Sequence, residues 1–445
     1  MPALDDNIHS YTIAPGIELK VDTMPQASGL AIGLWFSVGS AYERDGERGL
    51  SHFVEHMVFK GAGERSAEEL SRAIDRVGGY LNAFTERETV CLHCLIPVRH
   101  AQLALGILLD MAYRPRFDIK EFEREKDVII NEILAAEDDL EEAAQDEFFA
   151  SAYSGHPASR RIAASVSDIR GASFETLRAF HDERFVRGSL TVSVAGAVIP
   201  DDIARMVESA LPSSRGTAAM APYDPGPVHF KRTRRMVKAQ GSQVFLFSGL
   251  PIDLSVSEDD FWRYSAASSA YGESMSSRLF MHIREEKGLC YSVSSAFSLS
   301  KLAGLWGVAS STRPAQLPRL IEAYAEESRL LFERGLTEVE LQESVSRIKG
   351  ILELAKDDTE YRMKKMARQY MFDQSVESFG QTMERLESGN ALEFSAIDTL
   401  IKTSLDPDKE SILLYGKLGA RSLRAGEAVF GAIETEAEDY SLEGE

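Results

Sequence analysis

Residues 49–61 read GLSHFVEHMVFKG. A helix is expected around Leu50–Phe59, and on it His52 and His56 stand four positions apart, one turn along the same face. Two imidazoles so placed can bind one tetrahedral zinc ion. Glu55 lies one position before His56 and projects to the edge of that face, close enough to reach a water without ligating. The order HxxEH is the inverse of the zincin motif HExxH. Three fixed positions recur by accident in roughly one or two of a hundred chains of this size, so the motif alone needs a third ligand from elsewhere.

A second helix is expected over residues 119–136, IKEFEREKDVIINEILAA. Glu132 lies 76 residues after His56, and Glu125 seven before Glu132, two turns back on one face. Phe122, Val128, Ile129 and Ile133 supply apolar packing beside this acidic pair. On spacing alone the two glutamates read equally well as ordinary solvent-facing charges of an acidic helix.

Outward from these helices, the chain divides at residues 212–229, PSSRGTAAMAPYDPGPVH, which are rich in Pro, Gly, Ser and Ala and lack apolar periodicity. The expected layout is a domain over 1–214, a linker over 215–229 and a second domain over 230–445. Both halves run strand, helix, glycine, strand. In the first, Ser66 and Glu69 form a capping box before a helix that Gly78-Gly79 stops. In the second, Thr337 and Glu340 form another ahead of VELQESVSRIKGILELA. Strands grouped with several helices favour an α+β class. The expected architecture is two homologous α+β domains, each an antiparallel or mixed sheet with helices packed on one face, arising from an internal duplication.

The 445 residues carry a net charge of −21, which argues against a nucleic-acid partner or an acidic membrane surface and is compatible with basic or extended peptides. No run approaches the length of a membrane-spanning helix, and the N-terminus has neither a signal nor a transit-peptide layout, so a cytoplasmic location is expected. Cys91, Cys94 and Cys290 suggest no disulfide framework. Cys91 and Cys94 have CxxC spacing, but they sit on an expected strand and point to opposite faces, as buried structural thiols. The remaining histidines have no ligand-like spacing.

Residues 52–61 (HFVEHMVFKG), 65–88 (RSAEELSRAIDRVGGYLNAFTERE) and 123–133 (EREKDVIINEI) resemble the pitrilysin and insulin-degrading-enzyme family of inverzincin peptidases, most closely its short-chain branch that includes mitochondrial processing peptidase. The resemblance implies a peptidase with one Zn²⁺ per chain held by His52, His56 and Glu132, with Glu55 as general base. It makes Glu125 an acid that orients a ligand or tunes the metal. It implies that the strand after Gly79 is an exposed sheet edge to which the peptide adds as a further strand, with Asn82, Ala83 and Phe84 near the scissile bond. Residues 277–295, SRLFMHIREEKGLCYSVSS, resemble the family segment whose Arg and Tyr, here Arg284 and Tyr291, contact substrate and stabilise the oxyanion. By the same resemblance two copies pair as a homodimer, each copy's Arg284 and Tyr291 completing its partner's site, with a heterodimer containing a metal-less relative as second choice.

The functional expectation is a zinc metalloendopeptidase acting on short or unfolded polypeptides. The alternatives are a non-catalytic scaffold or chaperone-like subunit, and a peptide-binding module whose zinc is structural.

Overall fold

In the computed structural model, residues 7–212, 223–388 and 391–437 are described. The chain divides into two compact units. One comprises 1–134, 160–226 and 352–384; the other comprises 135–159, 227–351 and 385–445. The expected contiguous halves therefore differ from the units, because each half lends a helical segment to the other unit. Of the expected linker, residues up to 222 lie outside the described residues, and 223–229 form no helix or strand.

The first unit is built on a six-stranded sheet of β1 (Ile8–Ala14), β2 (Ile17–Thr23), β3 (Gly29–Phe36), β4 (Tyr80–Thr85), β5 (Val90–Pro97) and β6 (Leu190–Gly196). Its order is β1-β2-β6-β3-β5-β4. Strands β2 and β6 are parallel and the other pairs antiparallel. Leu30, Ile32, Leu34 and Phe36 of β3 face a core shared with α1 (Leu50–Val58), α2 (Ala67–Asp75), α3 (Ala101–Tyr113) and the buried positions Phe122, Ile129 and Ile133 of α4 (Ile119–Asp138). A strand with alternating polar residues would leave its other face wet. Here Ala31 and Trp35 point the other way and are equally buried.

That second face is covered by α7 (Thr359–Asp373), reached through α6 (Glu338–Ala355) from the far half of the sequence. Met363 and Ala367 of α7 pack on Ala31, Trp35, Cys91 and Ala195. Ser193 Oγ donates to the Met363 carbonyl at 2.7 Å, and Arg362 grips both oxygens of Asp22 at 2.6 and 2.7 Å. The expectation of helices on one face alone is corrected here: the continuous apolar run of β3 demands cover on both sides. Cys91 and Cys94 do point to opposite faces, each in a different apolar cluster.

The second unit repeats the plan with β7 (Arg234–Lys238), β8 (Val244–Ile252), β9 (Ser292–Leu299), β10 (Gly304–Thr312), β11 (Ser411–Gly416) and β12 (Glu434–Ala437), in the order β9-β10-β8-β11-β7-β12. Five strands correspond: β7 is parallel to β11, and β11, β8, β10 and β9 follow antiparallel, as β2, β6, β3, β5 and β4 do in the first unit. The sixth place is filled differently. An N-terminal hairpin strand supplies it in the first sheet, and the C-terminal β12, parallel to β7, supplies it in the second. The borrowed helix is α5 (Leu140–Ala152), which packs on β8 and β11. Gly249 of β8 admits it closely: a Cβ there would stand 2.6 Å from the Phe148 ring. The two units thus exchange equivalent helices, a duplicated α+β fold as expected. Among the described residues no helix is long and apolar enough to cross a membrane.

Candidate metal centre

Helix α1 buries Phe53, Val54, Met57 and Val58, which leaves His52, Glu55 and His56 on the face turned from the core. Its first turn is held by Glu43, whose buried carboxylate accepts the backbone N–H groups of Gly49 and Ser51 at 2.8 Å each. Burial pushes the Glu43 carboxyl up to about 7. Gly49 takes φ 79°, the left-handed region, and a Cβ there would meet Ile169 at 2.8 Å, so only glycine suits this entry to the helix. Helix α4 crosses with Phe122 stacked on Phe53, ring centroids 4.7 Å apart, and this contact sets the height at which α4 presents its acids to α1.

At that height three donors converge. His56 Nε2 lies 3.3 Å from His52 Nε2 and 3.3 Å from Glu132 Oε2, and His52 Nε2 lies 3.9 Å from the same oxygen. A tetrahedral zinc about 2.1 Å from each donor would space them about 3.4 Å apart. Among the described residues this is the one group of three His, Cys, Asp or Glu side chains close enough to share an ion. Burial, and then the neighbouring His56, lower the His52 imidazole to about 4, so it stands neutral near pH 7 with a lone pair to offer. Lone pairs that face one another at this range repel unless a cation lies between them, so the donor set fits a divalent metal.

Behind the donors, His56 Nδ1 lies 3.1 Å from Glu125 Oε2, and Lys60 Nζ lies 2.6 Å from Glu125 Oε1. A carboxylate only accepts, so this contact favours the tautomer with the proton on Nδ1, which leaves the Nε2 lone pair facing the other donors. Glu125 is 2% exposed, far from the solvent-facing alternative that spacing left open, whereas Glu132 is half exposed. Glu55 stands beside the donors, and Thr85 Oγ1 donates to its Oε2 at 2.5 Å. Burial raises the Glu55 carboxyl above its ordinary range, against the lowering effect of the Thr85 hydrogen bond.

Among the described residues strand β4 is an edge of its sheet, bonded to β5 alone. Ala83 faces the α1 side with Leu81, whereas Phe84 faces the opposite side, edge-on to Trp35 at 5.5 Å, and Asn82 Nδ2 donates to Tyr80 Oη at 2.5 Å. Arg284 and Tyr291 belong to the second unit and are neighbours there, the guanidinium 5.9 Å from the Tyr291 ring, with Tyr291 76% exposed. The site residues that sequence reading missed are Glu43, Lys60 and Thr85. Lys60 follows His56 by four positions, just past the end of α1, a spacing that could have flagged it. Glu43 and Thr85 carried no local signal.

Residues 21–165 match the family described as Insulinase (Peptidase family M16), and residues 171–348 match the Peptidase M16 inactive domain. The uncharacterized zinc protease YmxG of Bacillus subtilis is 31% identical over 357 residues, covering 80% of this chain and 86% of that protein. The chain belongs to the M16 peptidase family. Its fold is shared by a protease from Helicobacter pylori, with TM-score 0.81 and 17% identity over 92% of this chain and 99% of that one. It is shared too by a chain of complex III2 from Candida albicans, with TM-score 0.76 and 14% identity over 94% and 99%. The M16 chain thus pairs a segment of the peptidase type with a segment of the inactive type.

Proposed function

We propose that this M16 chain is a zinc metalloendopeptidase acting on short or unfolded polypeptides. The observation that carries the reading is the convergence of His52, His56 and Glu132 at metal-donor spacing with Glu55 alongside. His52, His56 and Glu132 would hold one zinc per chain, which when bound supplies Lewis acidity toward the scissile carbonyl and makes a neighbouring water acidic. Glu55 takes one proton from the attacking water as the new C–O bond forms. It returns that proton to the departing nitrogen as the C–N bond breaks. Glu125 and Lys60 hold His56 in the tautomer that serves this site.

The edge strand β4 supports a peptide docked as a seventh strand, since alternate residues turn their backbone N–H and C=O groups away from β5. Backbone pairing gives affinity with little demand on sequence. Ala83, on the α1 side, suits a place under the scissile bond. Asn82 and Phe84 would act through their backbone, since their side chains face the other way. Arg284 and Tyr291 would be supplied by a second copy in a homodimer, and the exposure of Tyr291 supports a contact beyond its own unit.

The test is peptide-library digestion read by mass spectrometry, with and without chelator. Glu55→Gln is expected to keep zinc and lose about 10²- to 10⁴-fold in kcat. Wild-type turnover by that variant would refute the general-base role. A non-catalytic scaffold is the second reading, and metal analysis of purified protein separates the two. A structural zinc is disfavoured because such sites are closed by four protein ligands, and this cluster offers three.

A further inference from the structure

We infer that Thr85 is a positioning residue for the peptidase reaction: it ties the Glu55 carboxylate to the strand that receives the peptide. The inference rests on the peptidase reading above. Glu55 is carried by α1 at the end of a flexible side chain, and fixing such a chain costs rotamer entropy unless a partner holds it. The partner is Thr85, whose Oγ1 donates to Glu55 Oε2 at 2.5 Å. Thr85 has one hydroxyl hydrogen, so it anchors one carboxylate oxygen and leaves Oε1 to carry the transferred proton.

The hydroxyl is itself held rigidly. Threonine is stiff about χ1, and Thr85 occupies the last pair of β4, opposite Val90 of β5. The following turn is closed by the Glu86 N–H on the Thr89 carbonyl at 2.8 Å. Thr89 Oγ1 then bonds the Phe36 carbonyl of β3 at 2.9 Å. The anchor of the base is thereby continuous with the sheet and not only with the metal-binding helix.

Strand alternation gives the arrangement its use. Leu81, Ala83 and Thr85 share the face toward α1, so the strand that would dock the substrate backbone also sets the base on the same side. The proton acceptor is therefore positioned relative to the substrate and relative to the metal donors at once. A base referenced to α1 alone would be free to swing while every ligand stayed in place. A misplacement of about 1 Å in a reacting group costs roughly 100-fold in rate.

The decisive variants are Thr85→Val, which removes the hydroxyl at constant shape, and Thr85→Ser, which keeps it. Thr85→Val is expected to lower kcat by about 10- to 100-fold. Zinc content should be unchanged, as should the Kd of a fluorescent peptide for the chelator-treated protein, because the hydroxyl touches neither. Thr85→Ser should recover most of the rate. In a Glu55→Gln background, Thr85→Val should cost nothing further, since the group it anchors is already disabled. Thr85→Ala serves as the removal variant should the valine protein not fold. Undiminished kcat in the removal variant would overturn the inference. So would a loss shared with zinc or peptide binding, failure of serine to rescue, or an equal loss on top of Glu55→Gln. A fast Thr85→Val enzyme beside a slow Glu55→Gln enzyme would sink only the role of Thr85. An inactive wild type, or a fast Glu55→Gln enzyme, would sink the peptidase reading itself.

Discussion

Replacing Lys60 by Met tests whether the buried acid behind His56 tunes the metal. The side chain is matched in length, but the ammonium 2.6 Å from Glu125 Oε1 is gone. Glu125 is 2% exposed, so water cannot fully take over the lost contact. Removing one partner of a fully buried ion pair costs about 3–5 kcal/mol. The Lys60 side chain is 30% exposed, which discounts that figure to about 2 kcal/mol of folding stability. The metal is affected separately. With the ammonium gone, the Glu125 carboxylate loses the contact that fixes it from behind, and its hold on His56 Nδ1 at 3.1 Å is loosened. His56 then becomes a poorer ligand, and loss of such an orienting contact weakens metal affinity by about 10- to 100-fold, or about 1.4–2.7 kcal/mol. Glu125→Gln breaks the same chain of contacts and should act alike. Because the two residues work through one contact, the double variant should be no worse than the weaker single. The assay is competition for zinc against a chromophoric chelator, on protein shown folded by circular dichroism. Zinc affinity within twofold of wild type in folded Lys60→Met would refute the reasoning, and fully additive losses would refute the shared pathway.

Further predictions concern the frame and the assembly. Burial raises the Glu410 carboxyl from 4.5 to about 7, so the folded protein holds that proton more tightly than the unfolded chain does. The associated stability is complete below pH 4.5 and lost as pH rises through 7, amounting to about 3 kcal/mol, and Glu410→Gln should flatten that slope in melts taken across the range. Met363→Ala should cost about 2–5 kcal/mol in urea unfolding, because it empties the outer core between α7 and Trp35. An unchanged midpoint would show that α7 is dispensable to that sheet. If Arg284 and Tyr291 act in trans, mixing inactive Glu55→Gln protein with inactive Arg284→Ala protein should restore about a quarter of wild-type activity through random pairing. No recovery on mixing, despite subunit exchange, would place the pair in cis.

Much of the candidate site was legible locally. His52, Glu55 and His56 follow from helical spacing on one segment, and the capping box at Ser66 formed as read, Ser66 Oγ accepting from Glu69 N and the Glu69 carboxylate from Ser66 N. The box at Thr337 formed in the same way. Glu125 and Glu132 were visible as an acidic pair, but their separate fates, one buried against Lys60 and one half exposed beside the imidazoles, depend on how α4 crosses α1. The Thr85 contact joins residues 30 apart in sequence, and no local pattern announces it.

What the sequence alone determined is what a single element encodes: which residues share a helix face, where helices start and stop, and that the chain repeats one strand and helix plan. It also carried the instruction for two-sided cover, in the unbroken apolar run of β3. Only the tertiary structure decided which helix answers that instruction. An apolar helix stripe is complementary to any apolar sheet face, so the exchange of α5 and α7 between units has no local signature. The same holds for the edge position of β4 and for the meeting of Glu132 with His52 and His56. Those facts arise when distant segments pack, and packing depends on shape across the whole core.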